Sequence, residues 1–262
     1  GMGIYEKICQ SWLIILECRI MKNTVFIIGN GESRMDFDLT SLKEAGKIYG
    51  CNALYRDFSP DILVAGDVDI TVEVVKSGYC KNNNCVFSDW NPIPAEAYSL
   101  LQNDLSNPIQ IVGSEEKTKF SVMGKEETQY VIWTDNEKIE SFLNNIRCLD
   151  SGGVALLLAS QEENIEDIYL IGFDIQETNQ GKINNLYKNS NCYLSEDSVS
   201  SNTKIVQWTK QIQNIVESYS DIKYHRVHDS KINPSEWKNL NNLDCISYHE
   251  LESLLNEAIL RT

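Results

Sequence analysis

Residues 24–33 read TVFIIGNGES. The run Thr24 to Ile28 is β-branched and aromatic, and it stops at Gly29, Asn30 and Gly31, with Ser33 two positions on. An apolar run of this length bounded by turn residues reads as a strand buried on both faces. Two glycines around an asparagine then give either a cradle for a phosphate or a tight turn. The rest of the chain has to decide between them.

Further runs of the same kind occur downstream: KIYGC, DILVAG, NCVFS, IQIVG, DIYLIGFD and IKYHRV. Helical spacing lies between several of them, at 38–46, 69–77, 94–105, 136–147, 152–163 and 203–219. Strands alternating with helices predict an α/β fold, a Rossmann-like, mainly parallel sheet with helices on both faces. Residues 113–134 read as a hairpin or small insertion. The polar stretch 176–202, QETNQGKINNLYKNSNCYLSEDSVSSN, has the length of an active-site lid. Gly1 ahead of Met2 looks like an expression remnant, and residues 1–20 read as an N-terminal extension with an amphipathic helix. Residues 21–262 then form a single nucleotide-binding domain.

With 38 acidic against 23 basic residues the formal charge is -15, and no Lys/Arg cluster offsets it. Nucleic acid and anionic membrane are poor partners for such a surface. The segment SWLIILECRI is too short, and too interrupted by Glu17 and Arg19, to span a bilayer. Eight scattered cysteines read as reduced core residues of a cytoplasmic protein, and Cys80 and Cys85 in CKNNNC read as flanking a solvated hairpin, without the second pair a zinc site needs.

Any anion must therefore be held by backbone N–H groups, helix N-termini and neutral donors. Gly29, Asn30, Gly31 and Ser33 form a short G-x-G-x-S, with Arg34 where a dinucleotide loop has its third glycine, and no GK[ST] comes after it. Asn52 comes just after the second strand, on the same predicted sheet edge. Asp67 and Asp69 come after the third, in a D-x-D suited to a divalent cation such as Mg²⁺. Ser151, Gly152 and Gly153 open an apolar helix, with Ser151 as expected N-cap and exposed N–H groups for a phosphate. Asp174 ends the next strand. His228, at the end of IKYHRV, is the candidate general base, and Tyr187 and Tyr193 are candidates to hydrogen-bond a leaving phosphate. No G-x-S-x-G or H-E-x-x-H occurs, which disfavours serine hydrolases and zinc proteases.

GNGES, GCNALY, SGGVALLLA and IYLIGFD, in this order and spacing, resemble bacterial sialyltransferases of glycosyltransferase family 42 and their wider relatives, the motility accessory factors and pterin diphosphokinase-like proteins. The resemblance runs from about Met21 to Asp174 and continues more weakly through 203–228. It implies a CMP-sugar across the carboxyl edge of the sheet, with Asn30 and Asn52 on the nucleotide and Ser151 and Gly152 on its phosphate. Gln176 stands where a tyrosine of that family is expected, and 176–202 lacks its lid histidine. DILVAGDVD is closer to the wider relatives, which include enzymes acting on diphosphates.

The expected function is transfer from a nucleotide-sugar, a CMP-activated acidic sugar above all, to a glycan or small-molecule acceptor, with no cofactor required. Two alternatives are a Mg²⁺-dependent diphosphokinase acting on a hydroxymethyl group and a nucleotide-binding protein without catalysis.

Overall fold

Strand β1, Thr24–Ile28, is buried at every residue. Its side chains alternate between two apolar clusters, Phe26 and Ile28 in one and Val25 and Ile27 in the other, as the two-residue period of a strand requires. A central strand apolar on both sides must be covered on both sides. The computed structural model shows how, over the described residues 21–88, 109–114, 117–122, 131–134, 149–175, 182–198 and 202–261.

The remaining strands are β2 (Lys47–Cys51), β3 (Ile62–Ala65), β4 (Cys85–Ser88), β5 (Ile109–Ser114), β6 (Lys117–Val122), β7 (Val131–Thr134), β8 (Asp167–Ile171), β9 (Lys223–Val227) and β10 (Leu243–Ile246). They join β1 in one sheet, in the order β10-β9-β8-β1-β2-β3-β4-β7-β6-β5. Pairing is parallel from β10 across to β7. It turns antiparallel at β6, which pairs with β7 on one side and with its hairpin partner β5 on the other. The stretch expected as a hairpin or small insertion thus includes part of a hairpin, β5–β6, that extends the main sheet.

Among the described residues, four α-helices cover it: α1 (Val68–Ser77), α2 (Ser151–Ser160), α3 (Asn202–Ser218) and α4 (Tyr248–Leu260). Ile70 and Val74 of α1 and Leu251 and Leu255 of α4 share the cluster of Phe26. Val154 and Leu157 of α2 and Ile212 and Ile215 of α3 share that of Val25. The α/β, Rossmann-like architecture expected from the sequence is therefore present.

Some elements differ. The helix expected at 38–46 is a single 3-10 turn, Leu39–Leu42, because the Asp38 carboxylate takes both the Thr40 N–H and its hydroxyl and tightens the chain there. Strand β10 and helix α4 have no counterpart in the expectation, although Ser247 and Glu250 form a capping box at the start of α4. Cys80 and Cys85 are buried rather than set on a solvated hairpin. The helices expected at 94–105 and 136–147, and the extension 1–20, lie outside the described residues.

One polar element sits inside the sheet face. His225 on β9 is bracketed by its neighbours, with Nδ1 2.8 Å from Asp244 on β10 and Nε2 2.8 Å from Asp167 on β8. Its ring stacks on Tyr169 at 4.6 Å. Burial works against the imidazolium, but the hydrogen bonds to Asp244 and Asp167 outweigh it and raise the pKa. The raised value makes this stabilisation complete below the unfolded pKa of about 6.5 and lost as pH rises through the folded one. His225→Gln is expected to cost about 1 kcal/mol at pH 6 and less at pH 9 in urea unfolding. An equal loss at both pH values would show that the charge plays no part.

Candidate functional site

The order of strands reverses direction between β1 and β8, and that reversal is where open parallel sheets usually leave a crevice for ligand. Here the crevice is closed by the protein itself. Gly29 N–H donates to Ile171 O and Gly31 N–H to Gly172 O, each at 2.8 Å. Ser33 donates from its N–H to Asp174 Oδ2 at 2.8 Å and from its hydroxyl to Asp174 Oδ1 at 2.5 Å. A β-carbon on Gly29 would lie 2.7 Å from Gly172 O, and one on Gly31 would lie 2.5 Å from Asp174 Cγ. Gly172 has φ +69°, open to glycine at little cost. The glycines are thus required by contact between two strand exits.

After β1 the chain makes a three-residue 3-10 turn, Glu32–Arg34, and not the α-helix a phosphate loop needs. Arg34, at the expected third-glycine position, is buried and donates from Nε to Gly29 O at 2.7 Å. Its Nη2 donates to the Tyr187 hydroxyl at 3.3 Å, and Tyr187 is buried in the core, its pKa pushed up to about 12 chiefly by burial. That hydroxyl accepts from Arg34.

His228 lies beyond the same seam, just past the end of β9. Its Nδ1 accepts from Ser230 N–H at 3.2 Å, and its Nε2 faces Asp174 Oδ1 at 3.9 Å. Burial, then the nearby Arg226 guanidinium, lowers its pKa. Both ring nitrogens face protein groups, and the side chain is partly exposed.

The remaining candidates converge, on the other side of β1. Asn52 comes after β2 in the left-handed region, φ +54°. The Gly66 N–H, after β3, donates to the Ser151 hydroxyl at 2.8 Å, which donates to Asn52 Oδ1 at 2.6 Å. From the described part of the polar stretch, Tyr193 brings its hydroxyl to the same place, accepting from Asn30 Nδ2 at 3.1 Å and Ala53 N–H at 3.2 Å. A phenol that accepts twice keeps its proton to donate. Asn30 Oδ1 is shielded from solvent and accepts no hydrogen bond among the described residues. Of the two tyrosines, Tyr193 and not Tyr187 reaches Asn30 and Ala53.

An arginine absent from the expectation fastens that stretch. Arg56 forms a two-point pair with Glu73, Nε to Oε1 at 2.8 Å and Nη2 to Oε2 at 2.7 Å. It also donates to Ser190 Oγ at 2.8 Å and Asn191 O at 3.0 Å, and lies 5.7 Å from the ring centres of both Tyr187 and Tyr193. A forked ion pair of this kind is a use of arginine that lysine would not reproduce. The only sequence signal was a cation shortly after a strand end in an acidic chain.

Helix α2 starts differently from expectation. Its N-cap is Asp150, whose Oδ1 accepts from Gly153 N–H at 2.6 Å, leaving Ser151 to make the Asn52–Gly66 bridge. A β-carbon on Gly153 would lie 2.5 Å from Gln211 Oε1, so this glycine too has a packing role. Gly152 faces the Phe173 ring at 3.1 Å by the same measure. Beside the cluster, Asp67, Asp69, Ile70, Cys192, Tyr193 and Lys204 line a cavity of about 320 Å³. Among the described residues no group of three or more His, Cys, Asp or Glu side chains is placed to hold a metal ion.

Burial raises the Asp150 pKa to about 6, with the Asp67 charge adding to it against the N–H groups of Gly153 and Gly152. A carboxyl raised in the folded state stabilises while protonated, so stability falls as pH rises from the unfolded value, 3.8, towards about 6. Asp150→Asn keeps an oxygen for the cap and removes the charge. It is expected to raise Tm at pH 7.5, by up to about 3 kcal/mol of stability, and to change little at pH 3.5. Thermal unfolding followed by circular dichroism at the two pH values checks this, and a lower Tm at pH 7.5 would contradict it.

No protein-family model and no curated protein matches the chain. Among solved structures it is similar to a point mutant of alpha-2,3/8-sialyltransferase CstII, at 13% identity over 78% of this chain and 80% of that one, with a TM-score of 0.41. It is similar to the sialyltransferase CST-II in complex with trisaccharide acceptor and CMP, at 14% identity over the same shares, with a TM-score of 0.39. A third is CstII from Campylobacter jejuni with cytidine-5'-monophosphate, at 13% identity over 78% and 79%, with a TM-score of 0.37. At these values the likeness says nothing further about this chain's chemistry.

Proposed function

We propose that this chain is a nucleotide-dependent transferase, a glycosyltransferase that takes a CMP-activated acidic sugar, with the nucleotide over Asn30, Asn52, Ser151 and Tyr193. One observation carries the reading. Backbone and side-chain polar groups from the exits of β1, β2 and β3, the start of α2 and the residues over them meet in two adjacent neutral networks. A shielded amide oxygen in that set, Asn30 Oδ1, has no partner among the described residues. Amides and hydroxyls recognise a base, a ribose or a singly esterified phosphate without a cluster of positive charge.

In the displacement, an acceptor hydroxyl attacks the anomeric carbon and the bond from that carbon to the phosphate oxygen breaks, its electron pair leaving with CMP. The hydroxyl proton of Tyr193 and the amide of Asn52 stabilise the charge that develops on the departing phosphate. The acceptor proton passes to Asp67, which lines the adjoining cavity, in preference to His228 behind the seam. A glycan or small-molecule acceptor enters from that cavity.

The second reading, diphosphoryl transfer, has Asp67 and Asp69 on one cavity wall in its favour. As a pair they fit Mg²⁺ only with water and substrate oxygens completing its shell. Melting-temperature shifts with CMP, CDP, UDP and ATP, with and without Mg²⁺, separate the two. Stabilisation by CMP in the presence of chelator is expected, and stabilisation by ATP only with Mg²⁺ would overturn the proposal. Asn30→Ala and Ser151→Ala are each expected to weaken CMP binding about tenfold in titration calorimetry. Unchanged affinity in both would remove the residue assignment.

A further inference from the structure

A CMP-activated acidic sugar carries, besides its phosphate, a carboxylate on the sugar, and the neutral groups around Asn30 and Asn52 do not answer that second charge. The adjoining cavity adds to the difficulty, since Asp67 and Asp69 line it as exposed carboxylates. Among the described residues that line it, Lys204 is the one cation.

Its position follows from the fold. Strands β8 and β9 are parallel, so α3, which lies between them in the chain, starts at the carboxyl edge of the sheet and runs back. Lys204 is in its first turn. Gln211 comes seven residues later, two turns along the same face. Its Oε1 accepts from Asp150 N–H at 3.1 Å. That face of α3 therefore fronts the start of α2, where Ser151 donates to Asn52. Tyr193 links the two places, lining the cavity with Lys204 while its hydroxyl accepts from Asn30.

A cation in the first turn of a helix opposes the helix dipole, whereas Asp69, in the first turn of α1, agrees with it. Lys204 thus sits where local helix energetics disfavour it. Nor is its charge used within the protein, for among the described residues it forms no ion pair.

We infer that Lys204 binds the carboxylate of the sugar carried by CMP and so sets a preference for an acidic donor. The inference rests on the nucleotide reading above. A compact charge on a flexible stem can follow a carboxylate that shifts as the sugar leaves the phosphate.

The test is titration calorimetry without acceptor, using CMP, a CMP-linked sialic acid, and the same donor with its carboxylate masked as the methyl ester. The wild-type chain is expected to bind the acid about tenfold tighter than the ester. Lys204→Gln is expected to lose that difference with CMP and ester affinities unchanged, and Lys204→Arg to keep most of it. Lys204→Gln is also expected to melt no lower than the wild type, since it relieves the first turn of α3. An acid bound no tighter than the ester by the wild type, or a preference that survives in Lys204→Gln, would overturn the inference while CMP binding left the nucleotide reading standing. A wild-type chain that does not bind CMP would overturn that reading, and this inference with it.

Discussion

Gly31 has no room for a side chain, because Asp174 Cγ and Gly172 O already occupy the space, at 2.5 and 2.6 Å from where a β-carbon would be. This contact closes the seam between β1 and β8. Arg34 holds it from below through Gly29 O, and Arg226 holds the neighbouring turn through Phe173 O at 3.0 Å. Two buried guanidiniums bonded to backbone carbonyls are costly to disturb, since breaking either contact leaves a buried charge short of a partner. With the usual crevice filled, the polar groups left to meet a ligand lie over β1, β2 and β3. The location of the proposed site is a consequence of that seam.

The chain's acidity sets the chemistry there. Asp150 already occupies N-terminal N–H groups of α2, and its pKa is raised by burial and, beyond that, by a second negative charge nearby, Asp67. A helix terminus occupied by its own carboxylate is a weaker phosphate site than its dipole alone suggests. Arg56, beside the cluster, is committed to Glu73 and to the backbone of the residues above it. Neutral donors make up the rest of the cluster, with Lys204 on the wall of the adjoining cavity. Under the proposed reading, such donors suit a ligand whose charge is modest and partly solvent-facing.

Much of the fold was legible because a parallel sheet buried on both faces writes itself as uninterrupted apolar runs, of which TVFII is the clearest. The first helix failed where a side chain, that of Asp38, competed locally with the backbone. Strand β10 failed because LDCI is short and only half buried. Asn30, Asn52 and Ser151, singled out by their positions after strands and before a helix, fall in two adjacent hydrogen-bond networks. Their partners were not legible in the same way. Tyr193 rather than Tyr187 reaches Asn30 and Ser33 consumes Asp174, contacts between residues 163 and 141 positions apart that no local pattern records. Asp150 rather than Ser151 caps α2, a choice between adjacent residues that either side chain could have filled. The glycine loop reads the same in sequence whether it wraps a phosphate or another loop.

The central claim is spatial: the glycine loop is a wall, and the nucleotide lies on its β2 side. A crystal structure of the chain soaked with CMP tests it most directly. The nucleotide is expected within hydrogen-bond distance of Asn30, Asn52 or Ser151, with the Gly31–Gly172 and Ser33–Asp174 bonds intact. CMP lodged between Gly31 and Asp174, with those bonds broken, would contradict it.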